Sequence, residues 1–421
     1  MRLLRHAVCC LMVAAVAATA ARADTAAPTR AEVYRQAAAL TVIGRQMFAD
    51  PSLSASGLTS CASCHSPAHA FGPPNEDAVQ LAGPNLRQPG HRAVPSLTYL
   101  QATPAFTEHH FESEDEGDES IDEGPTGGLT WDGRTDGTAA QAVIPLLSPF
   151  EMANASAHDV VAKARAAGYA KPLRDVLGHD VLDDDAAGFA AILQALAVYQ
   201  QDSATFYPYN SKYDAVLAGK AALTPQEQRG LDLFEDPDKG NCARCHISSR
   251  GGDGTPPQFT DFGIVAIGVP RNRAIPANRD PGYFDLGLCG PDRTDFLGQK
   301  EYCGRFMTPT LRNVATRSVF FHNGVVHTLR DAVRFYAERD TNPERWYPRN
   351  PDGTVRKFDD FPPGMEADIE MEAPFGQKAG DPPPLTPEEI DAIVAFLGTL
   401  TDGWRTGGPE ASAAGPAQHG R

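Results

Sequence analysis

The chain has 421 residues, enough for two domains, and its 42% hydrophobic content is ordinary for a globular protein. The formal net charge of −17 argues against nucleic acid as a partner and would suit a basic electron-carrier protein, although solubility alone also accounts for it. The 38 Gly and 35 Pro predict long loops between helices.

The N-terminus has the pattern of a secretory signal peptide. Arg2 and Arg5 precede an apolar run from residue 7 to residue 18, and residues 21–23 (Ala-Arg-Ala) form a cleavage site of the A-x-A type. We therefore expect residues 1–23 to be removed by cleavage after Ala23, export to the periplasm, and no membrane span.

A predicted helix from Glu32 to Phe48 leads into the first of two Cys-x-x-Cys-His motifs, residues 61–65, and the second motif spans residues 242–246. In such a motif the two thiols form thioether bonds to the vinyl groups of one porphyrin, and the adjacent histidine ligates the iron. Structural zinc held by four thiolates is the alternative, but zinc does not require a histidine after both pairs. We predict two covalently bound haems c, held by Cys61, Cys64, His65, Cys242, Cys245 and His246.

Cys289 and Cys303 are left over once the signal peptide and the haem motifs are counted. In an oxidising compartment we expect them to form a disulfide. Two free thiols are the alternative, and the spacing alone does not decide between the two.

The segment from Ser66 to Ser96 is rich in Pro, Gly and Asn and is predicted to be a loop around the first haem. It contains His69 and His91, and each is either a sixth iron ligand or an ordinary loop histidine. Farther along, residues 112–123 carry eight carboxylates. This acidic run fits a solvated loop, or a docking patch for a basic redox partner.

Trp131, Gln141 and Glu151 follow one another at intervals of ten residues. A peroxidase needs an acid/base group near the open face of the iron, to take a proton from one peroxide oxygen and return it to the other. Glu151 is suited to that role, and Gln141 to a hydrogen bond with the bound oxygen. Taken without any resemblance, Trp131 would more often be a core residue and Glu151 a surface residue.

Four more helices are predicted in the rest of the chain. Residues 189–199 form a strongly apolar helix, and Thr224 caps a helix that leads to the second haem motif. Residues 329–336 and a segment capped by Thr386 follow. The order helix, loop, haem motif thus occurs twice, which indicates a mainly α fold with two cytochrome c-like haem domains and long loops. We place these domains at residues 24–218 and 219–403, with a tail at 404–421 that we expect to be disordered.

The sequence resembles the bacterial dihaem cytochrome c peroxidase and MauG superfamily over nearly the whole mature chain. Besides the haem motifs, the most specific matches are the Trp-Asp-Gly-Arg segment at Trp131, the TPTLRN segment at Thr308 and the FHNG segment at Phe321. The resemblance implies that His65 and His246 are the proximal ligands of the two irons.

The resemblance also assigns the roles of the three evenly spaced residues. Trp131 matches the tryptophan that relays electrons between the two haems in this family. Gln141 and Glu151 match the residues of the peroxide pocket at the first haem. The N-terminal domain would then be the peroxidatic one, and the C-terminal domain the electron-transfer one.

The sequence departs from the family pattern at both haems. Typical peroxidases carry a histidine that caps the first haem until reduction, and neither His69 nor His91 aligns well with it, so we expect the first haem to be open at rest. At the second haem, peroxidases supply a Met and MauG supplies a Tyr, and the position falls on Tyr336. Met307 is the alternative ligand of this iron. A third possibility is that Tyr336 is a core residue without a role at the iron. An anionic phenolate favours the oxidised states of iron, whereas a thioether raises the reduction potential.

A third departure concerns the calcium site that relatives have between the haems. Ala93 stands where they have an Asn, and its side chain offers no ligand. The other two positions, Arg317 and Val319, offer only backbone carbonyls. Calcium is therefore doubtful as a cofactor.

Three functions are consistent with this sequence. The first is a periplasmic peroxidase that reduces hydrogen peroxide with electrons from a small cytochrome c or cupredoxin. The second is a MauG-like oxidase that uses peroxide to modify aromatic residues of a partner protein. The third is a dihaem cytochrome that only transfers electrons, which would leave Gln141 and Glu151 without a purpose. The sequence leaves open whether the protein is a homodimer.

Overall fold

The computed structural model describes residues 27–110 and 124–405. The predicted signal peptide and the acidic run at 112–123 lie outside these residues, as does the tail beyond residue 405. The described part of the chain is mainly helical, with two small antiparallel sheets, so the predicted fold class is confirmed.

The helices divide between the two halves of the chain. The first half contains α1 (Arg30–Ala49), α2 (Cys61–Cys64), α3 (Thr138–Leu147), α4 (Ala157–Ala166), α5 (Ala170–Leu177), α6 (Asp185–Gln200) and α7 (Ser203–Phe206). The second half contains α8 (Lys212–Leu217), α9 (Pro225–Glu235), α10 (Leu329–Glu338) and α11 (Pro387–Gly398). The five predicted helices are found within four residues of their predicted ends, and α2, α3, α4, α5, α7 and α8 are additions that the sequence did not reveal.

The two sheets are short antiparallel pairs. Strand β1 (Leu81–Ala82) pairs with β2 (Gln88–Pro89), and β3 (Ile264–Val265) pairs with β4 (Phe306–Met307). The amide of Met307 in β4 donates a hydrogen bond of 2.8 Å to the carbonyl of Trp131. The second sheet thus contacts the segment of the first half that carries the proposed electron relay.

Side-chain caps explain where several helices begin. The N-caps of α1, α9 and α11 are threonines, and each forms a reciprocal capping box with the glutamate three residues later: Thr29 with Glu32, Thr224 with Glu227, and Thr386 with Glu389. Asp184 caps α6 through a bond from the amide of Ala187. The caps predicted at Thr224 and Thr386 are confirmed.

Each half has its own hydrophobic cluster, and a pair of crossing helices lies at the centre of each. In the first half α1 and α6 cross at Gly44, where a Cβ would lie 2.0 Å from the carbonyl oxygen of Ala195. In the second half α9 and α11 cross at Gly230, where a Cβ would lie 2.0 Å from the carbonyl oxygen of Ala392. No side chain fits between either pair of helices, so the same glycine crossing occurs in both halves.

A second feature is repeated between the two crossing helices of each half, and it joins the halves. Tyr99 and Asn313 both have left-handed backbone conformations, with φ of 64° and 62°, and each precedes a short 3-10 turn. The Tyr99 hydroxyl donates to one carboxylate oxygen of Asp402 at 2.7 Å, and the Asn313 amide donates to the other at 2.7 Å. One carboxylate near the C-terminus therefore binds the equivalent positions of both halves.

The boundary predicted between residues 218 and 219 follows α8. The Tyr213 side chain of α8 belongs to the second hydrophobic cluster, and its amide donates to the carbonyl of Thr399 at 3.0 Å. Helix α8 therefore packs with the second half. The boundary itself stays a prediction.

Cys289 and Cys303 form a disulfide, as predicted, and both are buried. The four cysteines of the haem motifs are not paired with one another. Within residues 27–110 and 124–405, no helix has the length and apolar content that a bilayer crossing requires.

Candidate active site

The two Cys-x-x-Cys-His motifs adopt the same tight turn. The amide of His65 donates to the carbonyl of Cys61 at 2.8 Å, and the amide of His246 donates to that of Cys242 at 2.8 Å. In each motif the turn brings both thiols and the imidazole to one side of a cavity, since residues of both motifs line the cavities described below.

Both imidazoles are also oriented in the same way. Nδ1 of His65 bonds to the carbonyl of Phe71 at 3.0 Å, and Nδ1 of His246 bonds to that of Phe259 at 3.0 Å. Both phenylalanines have left-handed conformations, with φ of 54° and 53°. Because a carbonyl only accepts, each Nδ1 carries the hydrogen and each Nε2 is free to bind iron. Burial lowers the pKa of His65 to about 4, which keeps the imidazole neutral, as an iron ligand must be.

Two cavities adjoin these turns. The smaller one is lined by Cys61, Cys64 and His65, and the larger one by Cys242, Cys245 and His246. The larger cavity contains two buried polar atoms with no hydrogen-bond partner in the described chain, Oγ1 of Thr308 and Nε2 of His322. The larger cavity, with unpaired polar atoms beside a thiol pair and an imidazole, fits a porphyrin with its polar edge.

Glu151 and Gln141 line the smaller cavity together with His65. Gln141 lies on α3, and Glu151 lies in the turn after it, where its amide donates to the carbonyl of Ser148 at 3.1 Å. Burial raises the pKa of Glu151 to about 7, against the opposing charge of Arg134. A carboxyl with a pKa near 7 both accepts and returns a proton at neutral pH.

Trp131 lines the larger cavity, and its indole Nε1 donates to the carbonyl of Ala93 at 2.8 Å. The next residue, Asp132, is fully buried and binds Arg92 at 2.7 Å and Arg134 at 2.8 Å. Burial opposes its charge, but the two guanidinium groups hold the pKa of Asp132 below its ordinary value. Trp131 is thus held by a backbone hydrogen bond and by a buried ion cluster next to it.

His69 lines the larger cavity, and neither His69 nor His91 is among the described residues that line the smaller one. Nδ1 of His69 bonds to Oγ of Ser66 at 3.0 Å. The ring of His91 packs on Phe150, with 4.4 Å between the ring centroids. The sequence left both open as sixth ligands, and the structure brings neither into the cavity of Glu151.

Tyr336 and Met307 both line the larger cavity, beside Cys242, Cys245 and His246. Tyr336 stacks on Phe375 at 5.4 Å, and burial raises the pKa of its hydroxyl. Met307 lies in β4. The choice between these two ligands stays a prediction.

The doubt about calcium stays a prediction. The backbone carbonyl of Ala93 already accepts the bond from Trp131, and the carbonyl of Val319 accepts one from Nε of Arg317 at 3.2 Å. The described residues contain no group of three or more His, Cys, Asp or Glu side chains placed to hold a metal ion.

The mainly helical duplicated fold and the two haem-attachment turns define a c-type dihaem protein, and comparison with known proteins agrees. A family model described as di-haem cytochrome c peroxidase matches residues 38–222. The methylamine utilization protein MauG of Paracoccus denitrificans is 34% identical over 370 residues, which are 86% of this chain and 89% of that protein. Cytochrome c551 peroxidase of Nitrosomonas europaea is 26% identical over 305 residues, 72% of this chain and 74% of that protein.

A solved structure supports the same assignment. The diheme peroxidase BthA of Burkholderia thailandensis has a TM-score of 0.76 to this chain and 40% sequence identity, with 90% of both chains covered. The chain therefore belongs to the di-haem cytochrome c peroxidase and MauG family. It is an oxidoreductase with two covalently bound haems c.

Sequence reasoning missed the groups that orient the proposed functional residues. The carbonyls of Phe71 and Phe259 bind the two imidazoles, and Arg92 binds Asp132 beside Trp131. Backbone acceptors carry no residue-type signal. Arg92 is 40 positions away from Asp132, so only the tertiary structure reveals their contact.

Proposed function

We propose that this protein is a periplasmic peroxidase that reduces hydrogen peroxide at the first haem, with electrons that enter through the second haem. The observation that carries the proposal is the position of Glu151, which lines the cavity of His65 and has a pKa of about 7 because it is buried. The Cys289–Cys303 disulfide and the covalent haem motifs support an oxidising compartment.

The residues of the smaller cavity account for the proton steps. Haem iron, when bound, supplies the redox chemistry that breaks the O–O bond. Glu151 accepts the proton of the peroxide oxygen nearer the iron and returns it to the departing oxygen, which leaves as water. Gln141, on α3 at the same cavity, orients the peroxide by a hydrogen bond. The balance is one peroxide, two electrons and two protons to two waters.

Trp131 is suited to relay the electrons. It lines the larger cavity together with His246 and Gln141, and Gln141 also lines the smaller cavity. The donor would be a small cytochrome c or a cupredoxin, since a net charge of −17 favours a basic redox partner.

Titration of the protein with peroxide tests this proposal. Protein with both haems reduced holds two electrons and should consume one equivalent of peroxide, with both haems oxidised at the end. The proposal is wrong if peroxide survives exposure to the oxidised, the half-reduced and the fully reduced protein alike.

A second candidate function is MauG-like oxidation of a partner protein. Tyr336, which lines the second haem cavity, favours it, because a phenolate ligand stabilises oxidised iron and makes that haem a poor acceptor from a donor of high potential. The 34% identity to MauG points in the same direction.

Substitutions at the two rival positions separate these candidates. If Tyr336 is the ligand, Tyr336→Met raises the reduction potential of the second haem, and Met307→Leu leaves its spectrum unchanged. The opposite pattern, in which only Met307→Leu alters the second haem, would identify an ordinary peroxidase ligand. Potentiometric titration followed by absorption spectroscopy measures both.

A further inference from the structure

Arg317 differs from the other arginines that the fold encloses. Each of those has a carboxylate within ion-pair distance: Arg92 with Asp132 and Asp285, Arg271 with Asp360, Arg312 with Asp214, and Arg339 with Asp340. None of the described carboxylates lies within ion-pair distance of Arg317. Burial lowers the pKa of Arg317 to about 10, and no acid offsets it. Arg317 is half-buried, and a partly desolvated cation without a counter-charge is costly, so a missing anion is indicated.

The guanidinium of Arg317 is held in place by both halves of the chain. Nη2 donates to the carbonyl of Val94 in the first half at 3.0 Å, and Nε donates to that of Val319 in the second half at 3.2 Å. Nη1 lies beside the loop that follows the first haem motif, since a Cβ at Gly72 would be 3.4 Å from it. The group is therefore fixed before any ligand binds.

The guanidinium of Arg317 has donors that make no hydrogen bond within the described chain. A guanidinium has five N–H donors, and these two carbonyls accept two of them. Arg317 lines the larger cavity, as do Pro95 and Leu97, and Leu97 also lines the cavity of His65. The unpaired donors thus lie where the loop after the first haem motif borders the larger cavity.

We propose that Arg317 binds a propionate carboxylate of the haem attached at Cys61 and Cys64. A planar guanidinium matches a carboxylate with two parallel hydrogen bonds, and the propionates are the anionic groups that haem brings into the cavity. The residue comes from the second half, so this contact ties the second half to the cofactor of the first. Its charge also favours the reduced, less positive state of that haem. None of this depends on peroxide chemistry.

The test compares Arg317→Gln, Arg317→Lys and a control, Arg250→Gln, in the holoprotein with both haems. Arg250 is an exposed arginine of the second half that donates to the carbonyl of Gly254. Soret-excited resonance Raman spectra report the propionate bending bands, and potentiometric titration reports the reduction potential of each haem. The Tyr336→Phe and Met307→Leu variants identify the signals of the second haem.

Arg317→Gln should shift a propionate bending band and lower the reduction potential of the first haem alone. Arg317→Lys keeps the charge but not the planar fork, so the potential should recover while the band stays shifted. If Arg317→Gln loses haem, the propionate band and the reduction potential of Arg317→Lys decide the question instead. The control should match the wild type. Unchanged bands and potentials, with only a lower melting temperature, would mean that Arg317 merely joins Val94 to Val319, and the proposal would be overturned.

Discussion

Replacing Glu151 with Gln removes the proposed proton carrier and changes little else. The amide has nearly the shape of the carboxyl, but it cannot accept a proton from peroxide near neutral pH. Glu151 lines the cavity of His65, and both haem attachment sites remain intact in the variant. The variant should bind two haems and react with peroxide much more slowly.

The size of the effect follows from the role. Positioned general acid–base groups contribute about 10²- to 10⁴-fold, so the second-order rate constant for peroxide should fall by that factor, or about 3 to 5 kcal/mol in activation free energy. The wild-type rate should also depend on pH, because burial raises the pKa of Glu151 to about 7 and only the ionised carboxylate accepts the proton. About one-tenth of this group is ionised at pH 6 and about nine-tenths at pH 8. The rate should therefore rise about tenfold between these values in the wild type and stay flat in the variant.

Stopped-flow absorption at several peroxide concentrations measures these rate constants. Glu76→Gln is the matched control, because Glu76 is an exposed carboxylate of the same half. It should behave like the wild type in rate and in pH profile. A Glu151→Gln variant with two haems and a rate within twofold of the wild type would remove Glu151 from the mechanism.

Two further predictions concern the relay and the fold. Trp131→Phe removes the indole that donates to Ala93 and should slow electron transfer between the haems by at least about tenfold, or 1.4 kcal/mol. The first haem should still react with peroxide. Rapid oxidation of the second haem in that variant would contradict the relay. Gly230→Ala places a Cβ 2.0 Å from the Ala392 carbonyl oxygen and should lower the free energy of unfolding by about 1 to 3 kcal/mol. Gly398→Ala is the control, because open space surrounds Gly398, and it should not destabilise the protein. Equal melting temperatures for the two variants would refute the crossing argument.

The parts of the structure that the sequence predicted are those set by short-range chemistry. A haem motif needs two thiols and an imidazole within five residues, and the same turn forms at both copies. The caps at Thr224 and Thr386 depend on a glutamate three residues later. Such features can be recognised without knowing the fold.

The helix around Gln141 was missed for a local reason. Helix α3 contains Pro145, and its N-cap is Gly137 in a conformation with φ of 93°. Proline inside a helix removes a backbone donor, and glycine offers no capping side chain, so both residues argue against a helix. Packing of α3 on α6 overrides this local preference.

The contacts across the halves could not be predicted from local patterns. Arg317 binds the carbonyl of Val94 from 223 positions away, and any residue supplies such a carbonyl. The grouping of Gln141 and Glu151 with His65 was predicted from family resemblance, not from their spacing. The structure places these three around one cavity, and their roles await the experiments above.

The most direct test of this account is to mix the fully oxidised protein with one equivalent of peroxide, without any reductant, and to record its absorption spectrum over milliseconds to seconds. In the described chain, no histidine other than His65 lines the cavity of Glu151, so the account predicts an open first haem and an immediate spectral change. An unchanged spectrum, together with a six-coordinate low-spin signal for the first haem in electron paramagnetic resonance, would contradict it.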